Sequence, residues 1–124
     1  MALIDHAIVK ITHRESSSSV GGGCLVSKKH ILTCAHVIAA ALDMDGKSQN
    51  TPQDTIHVQF PFLKNTPLLD AKVVIWKPKS DDHPSDIAVL EISGEIPTDA
   101  IPARISDVAL KDFQAFKAYG FPII

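Results

Sequence analysis

The chain has 124 residues, 45% of them hydrophobic, with 12 basic and 14 acidic side chains and a formal charge of −2. That size and apolar share suit one ordinary globular core. The absence of a Lys/Arg block excludes nucleic acid as a partner, and apolar runs as short as "VIAAAL" exclude a helix crossing a membrane. The start, "MALIDHAIVK", carries Asp5 and His6 inside its apolar part and has neither a basic opening nor a small-residue cleavage site. No secretory signal is read there, and a cytoplasmic location is expected.

In chain order, "AIVKIT" (7–12) is β-branched and predicts a first strand, followed by a surface loop over "RESSSS". "VGGGCLVS" predicts a second strand, whose three glycines mark a sharp bend or a close approach of other backbone. Lys28 and Lys29 turn the chain into "HILTC", so 22–34 reads as a β-hairpin. Residues 35–42 are mainly helix formers and predict a short helix, ended by the polar loop "DMDGKSQNTPQD". Strands follow at "TIHVQF" and "LLDAKVVIW", then a turn at "KPKSDDHPS" and a strand at "DIAVLEI". About six strands and one helix within 7–92 suggest a β-barrel or sandwich. Residues 93–112 read as a connecting segment with two prolines and no sustained periodicity, and "FQAFKAYGFPII" (113–124) as one more strand. A chain that crosses a linker, begins an apolar strand and stops reads as incomplete.

Two residues carry a candidate chemistry. His36 follows a buried strand, where a barrel can hold it while its ring faces a cleft, as a general base requires. Asp86 stands at the mouth of the apolar strand "IAVL", just after a Pro-containing turn, where a carboxylate can accept the Nδ1 proton of such a ring. The bland alternatives are a histidine satisfied by a backbone carbonyl near a helix start, and one more aspartate of an acidic turn that also holds Asp81 and Asp82. His6, His13, His30, His57 and His83 read as surface or strand-face residues. Cys24 and Cys34 both fall in predicted buried strands and read as reduced, small apolar side chains; a bridge between them requires neighbouring strands in the right register. Cys24, Cys34 and His36 lack paired ligand spacing, so no metal and no cofactor is expected. Cys34 is rejected as a nucleophile because, two residues from His36 on one backbone run, it cannot approach the ring's outward nitrogen.

"GGGCLVSKKHILTCAH", followed 50 residues after its histidine by "SDIAVL", resembles the first half of a trypsin-like serine peptidase of the chymotrypsin fold. The resemblance covers roughly residues 7–92, and "KAYGFP" is similar to the first strand of that family's second barrel. It implies a six-stranded antiparallel Greek-key barrel over 1–92 with one short helix at His36, an inter-barrel linker over 93–112, and the first strand of a second barrel over 113–124. It also implies that His36 is a general base, that Asp86 is its orienting acid, and that the substrate of the complete enzyme is a peptide or protein.

This chain departs from the pattern in three ways. Family members with a disulfide beside the catalytic histidine have cysteines where this chain has Gly21 and Val37, so Cys24 and Cys34 are not that bridge. "SVGGG" resembles the Ile-Val-Gly-Gly of cleavage-activated members only superficially, because Val20 lies inside the next strand; the pattern is closer to bacterial and intracellular relatives. The family's nucleophile motif, Gly-x-Ser-Gly-Gly, does not occur in these 124 residues. Ser93 lacks flanking glycines and directly follows the aspartate strand, and the serines at 16–19 precede the first motif strand; all are rejected. The expected function is therefore the N-terminal half of a serine endopeptidase, inactive without a nucleophile from outside these residues. The alternative is a non-catalytic peptidase-like binding or scaffold module of a larger signalling protein. A barrel lacking its second barrel is also expected to expose apolar surface and to self-associate through 113–124, which sedimentation at high concentration would check.

Overall fold

The computed structural model describes residues 3–16, 18–45, 48–64, 66–82 and 84–103. The strand expected at 113–124, the end of the linker segment and His83 lie outside the described residues. A 3-10 turn, Leu3–Ala7, leads into β1 (Ile8–Thr12), β2 (Ser19–Leu25) and β3 (His30–Thr33). Helix α1 (Ala35–Leu42) precedes β4 (Ile56–Gln59), β5 (Leu69–Lys77) and β6 (Ile87–Ile92). Among the described residues no helix is long and apolar enough to cross a membrane.

The six strands close into one antiparallel barrel in the order β1-β2-β3-β6-β5-β4. Strand β4 returns beside β1, which gives the Greek-key connection, and the loop from β3 back to β4 contains α1. The barrel and its helix are those expected from the sequence; the 3-10 turn is not, because five residues, LIDHA, are too few to show a helical period.

Period-2 alternation places the core. β4 and β6 turn Ile56, Val58, Ala88, Leu90 and Ile92 inward, where they meet Val9 and Ile11 of β1, Ile31 of β3 and Phe60. Each fully buried Ile, Leu or Val stabilises the barrel by roughly 1.5–3 kcal/mol. Alternation fails in β5, where the register against β6 shifts between Val73 and Ile75 and leaves Val74 and Ile75 both exposed.

The glycines serve close approach rather than a bend. A Cβ on Gly23 would stand 2.8 Å from the Ile31 side chain and 3.0 Å from the Leu32 carbonyl oxygen, so the absent side chain lets β3 lie against β2. A Cβ on Gly21 would meet the Val37 methyls at 2.7 and 2.8 Å, so that glycine seats α1 on the barrel. At this contact the valine side chain packs directly against bare backbone. The helix rests on β1, β2, β4 and β6 through its buried residues Val37, Ile38, Ala41 and Leu42. His36 and Ala40, one turn apart, form its exposed side.

Candidate active site

Strand β3 ends at Thr33, and Cys34 is extended, with φ −95° and ψ 144°, before the chain enters α1. The first N–H groups of any helix have no partner within it, and the Cys34 side chain does not cap these. The cap comes from 50 residues away. Strands β3 and β6 pair Thr33 with Ala88, which brings the start of α1 beside Asp86, the residue just before β6. There Asp86 Oδ1 accepts the His36 backbone N–H at 2.9 Å, and the Ala35 N–H also favours the carboxylate. A carboxylate at the positive end of the helix dipole does what a local Ser or Asp cap does elsewhere.

The second oxygen of the same carboxylate, Oδ2, pairs with His36 Nδ1 in a hydrogen bond. One residue thus engages both oxygens of Asp86, through its backbone and through its ring, which holds the imidazole in a single orientation. Because Nδ1 faces the carboxylate, Nε2 points the other way, and the ring is 69% exposed while Asp86 is 27% exposed. Partial burial raises the Asp86 pKa. The hydrogen bonds from the His36 ring and backbone, the charge of a protonated His36 and the Ala35 N–H outweigh burial and leave it below the ordinary Asp value. Asp86 is therefore an anion at neutral pH.

Cys34 is not the buried strand residue expected from the sequence. It is exposed, because it lies one residue past the end of β3 where the backbone turns into the helix. Its sulfur, a His36 ring nitrogen and an Asp86 oxygen all lie within 4.8 Å of one another. Burial and then the Asp86 charge push the thiol pKa up, the wrong direction for a nucleophile. Cys24 is half-buried in β2, burial likewise raises its pKa, and both cysteines are free.

The remaining candidates fall elsewhere. Ser93 follows the far end of β6, seven residues from Asp86, so it stands about 20 Å from the site along an extended chain. His13 pairs with Asp43 at 2.7 Å, His30 with Ser27 at 2.7 Å and His57 with Asp70 at 3.2 Å, all on the outside of the barrel. His6 differs from its surface reading: it sits in the 3-10 turn with Nδ1 enclosed. Sequence reasoning missed the capping role of Asp86 and the place of Cys34. The signal for both was the strand pairing, since only the β3–β6 register shows which residue faces the start of the helix.

A closed six-stranded antiparallel barrel, with a histidine opening the helix after the third strand and an aspartate before the sixth, has the architecture of the first barrel of a chymotrypsin-like fold. The family model for trypsin matches residues 5–117, and the chain belongs to the trypsin family of peptidase domains. No curated protein matches the chain significantly.

Proposed function

We propose that this chain supplies the general base and the orienting acid for peptide-bond hydrolysis by a serine endopeptidase. In this reading His36 Nε2 takes the proton of an attacking serine hydroxyl and returns it to the leaving amine. Asp86 keeps the proton on Nδ1 and stabilises the imidazolium formed in between. The observation that carries the reading is the double engagement of Asp86 by His36. An anion anchored by backbone donors leaves the ring only one orientation, and that orientation aims Nε2 at solvent.

The nucleophile and the oxyanion donors come from outside these 124 residues, since no Gly-x-Ser-Gly-Gly is present and Ser93 is at the other end of the barrel. An apolar stripe on the outer wall supports a further segment packing nearby. Leu32 of β3 and Ile75 of β5 flank Val89 of β6, with Ile87 two residues away, and Leu32, Ile75 and Ile87 are each at least 39% exposed.

Fluorophosphonate labelling of the natural full-length product tests the proposal. Covalent labelling that disappears on His36→Ala is the expected result. A folded full-length protein that takes no label would replace the peptidase by the alternative, a peptidase-like binding module.

A further inference from the structure

We propose that Cys34, His36 and Asp86 form a binding site for a divalent cation of the zinc class, and that occupancy of this site switches off the base. The binding half stands on geometry alone; the switching half rests on the role proposed for His36.

The donor set is one sulfur, one imidazole nitrogen and one carboxylate oxygen, a mixture that suits zinc and its borderline-soft neighbours and does not suit magnesium or calcium. A tetrahedral zinc with bonds of about 2.0–2.3 Å keeps its ligand atoms about 3.3–3.8 Å apart. The three donors already lie within 4.8 Å of one another, and a bound cation would replace the hydrogen bond between His36 Nδ1 and Asp86 Oδ2, those two atoms parting to ligand spacing while the Cys34 sulfur closes in. Asp86 is held in place by the backbone N–H on its other oxygen, the outer support that metal-binding carboxylates need. Cys34 and the His36 ring are exposed, so a cation enters from solvent and a water can take the fourth position.

Charge favours the same outcome. Binding releases the Cys34 thiol proton to solvent, and the resulting thiolate with the Asp86 carboxylate balances a dication. The helix dipole opposes this with only about half a positive charge. Among the described residues no other group of three such side chains converges in this way. The exposed thiol also has no part in the proposed hydrolysis, so the metal site gives a use to a side chain that the mechanism leaves idle.

The ring nitrogen beside Asp86 is Nδ1, so that is the one a cation shared with the carboxylate takes. A cation on Nδ1 displaces the proton held by Asp86 and lowers the basicity of the ring.

Cobalt(II) titration of the reduced chain, followed by absorption, tests binding. Expected are one equivalent bound, a thiolate-to-cobalt charge-transfer band in the near ultraviolet, displacement by zinc, and no change in Cys24→Ala. In Cys34→Ser the band should vanish and the affinity should fall at least tenfold. A wild-type chain with no such band, or a band that survives Cys34→Ser, overturns the site. For switching, zinc should slow fluorophosphonate labelling of the full-length protein at least tenfold more in wild type than in Cys34→Ala. Equal slowing of both overturns the switch and leaves the peptidase reading intact. Absence of labelling without zinc removes the peptidase reading and the switch together, while the cobalt result still decides the metal site.

Discussion

Two histidine–aspartate pairs in this barrel differ in which partner is anchored. In His57–Asp70, a directly opposed pair on β4 and β5, the ring is 35% exposed and the carboxylate 63%. In His36–Asp86 the proportions reverse, with the carboxylate 27% exposed and the ring 69%. Asp70 reaches from the wall of the barrel into water, so nothing prevents it from following the ring or leaving it. Asp86 is clamped by the start of α1 and dictates the orientation of the imidazole while leaving its far nitrogen free. Proximity of the two side chains is common to both pairs; only the second has the anchored acid and open base that proton transfer requires.

The largest expected effect that separates them is catalytic. On the proposed function, Asp86→Asn in the full-length product should lower kcat by about 10⁴-fold, the loss that the same replacement causes in the type enzyme of this family through the wrong tautomer. Asp70→Asn should change kcat less than about twofold, since an exposed pair away from the site contributes little. A loss under tenfold for Asp86→Asn would break the distinction.

Next in size is the scaffold. Gly23→Ala should destabilise the barrel by about 1–3 kcal/mol, because the new methyl meets the Leu32 carbonyl as well as Ile31 and backbone cannot move aside as a side chain can. Denaturant unfolding measures this, and a change below about 0.5 kcal/mol would show that the β2–β3 approach has slack.

A smaller effect reads the clamp itself. Asp86→Ala should cost about 1–2 kcal/mol at pH 7 as a lost helix cap, whereas Asp70→Ala should cost under about 1 kcal/mol. The Asp86 pKa is lower in the folded chain than its unfolded value of about 3.9. Its contribution is therefore complete above about pH 4 and is lost as the pH falls through the lower folded value. The stability gap between wild type and Asp86→Ala should accordingly close in strong acid. A gap independent of pH down to pH 2 would mean that the carboxylate charge has no part in the capping.

Most of the barrel was legible because its strands are short, alternating and separated by turn residues, as in "TIHVQF" and "DIAVLEI", where period 2 leaves one arrangement for the core. The glycines were legible as a close approach only in general; that Gly21 faces Val37 and Gly23 faces Leu32 depends on register, which local sequence does not contain. The exposed Val74 and Ile75 were illegible for the same reason, since "KVVIW" looks like an uninterrupted buried run until pairing with β6 introduces the shift. His36 and Asp86 could be picked out as candidates from their places beside apolar strands. That Asp86 caps the helix carrying His36, and that Cys34 turns outward beside both, are facts of pairing across 50 residues.

The most direct measurement of the central claim is long-range ¹H–¹⁵N NMR of the His36 imidazole at a pH where the ring is neutral. The expected spectrum shows the proton on Nδ1 and a bare Nε2 in wild type, with that preference lost in Asp86→Ala and retained in Asp70→Ala. A wild-type ring protonated on Nε2, or divided equally between the two tautomers, would contradict the assignment of Asp86 as the group that orients the base.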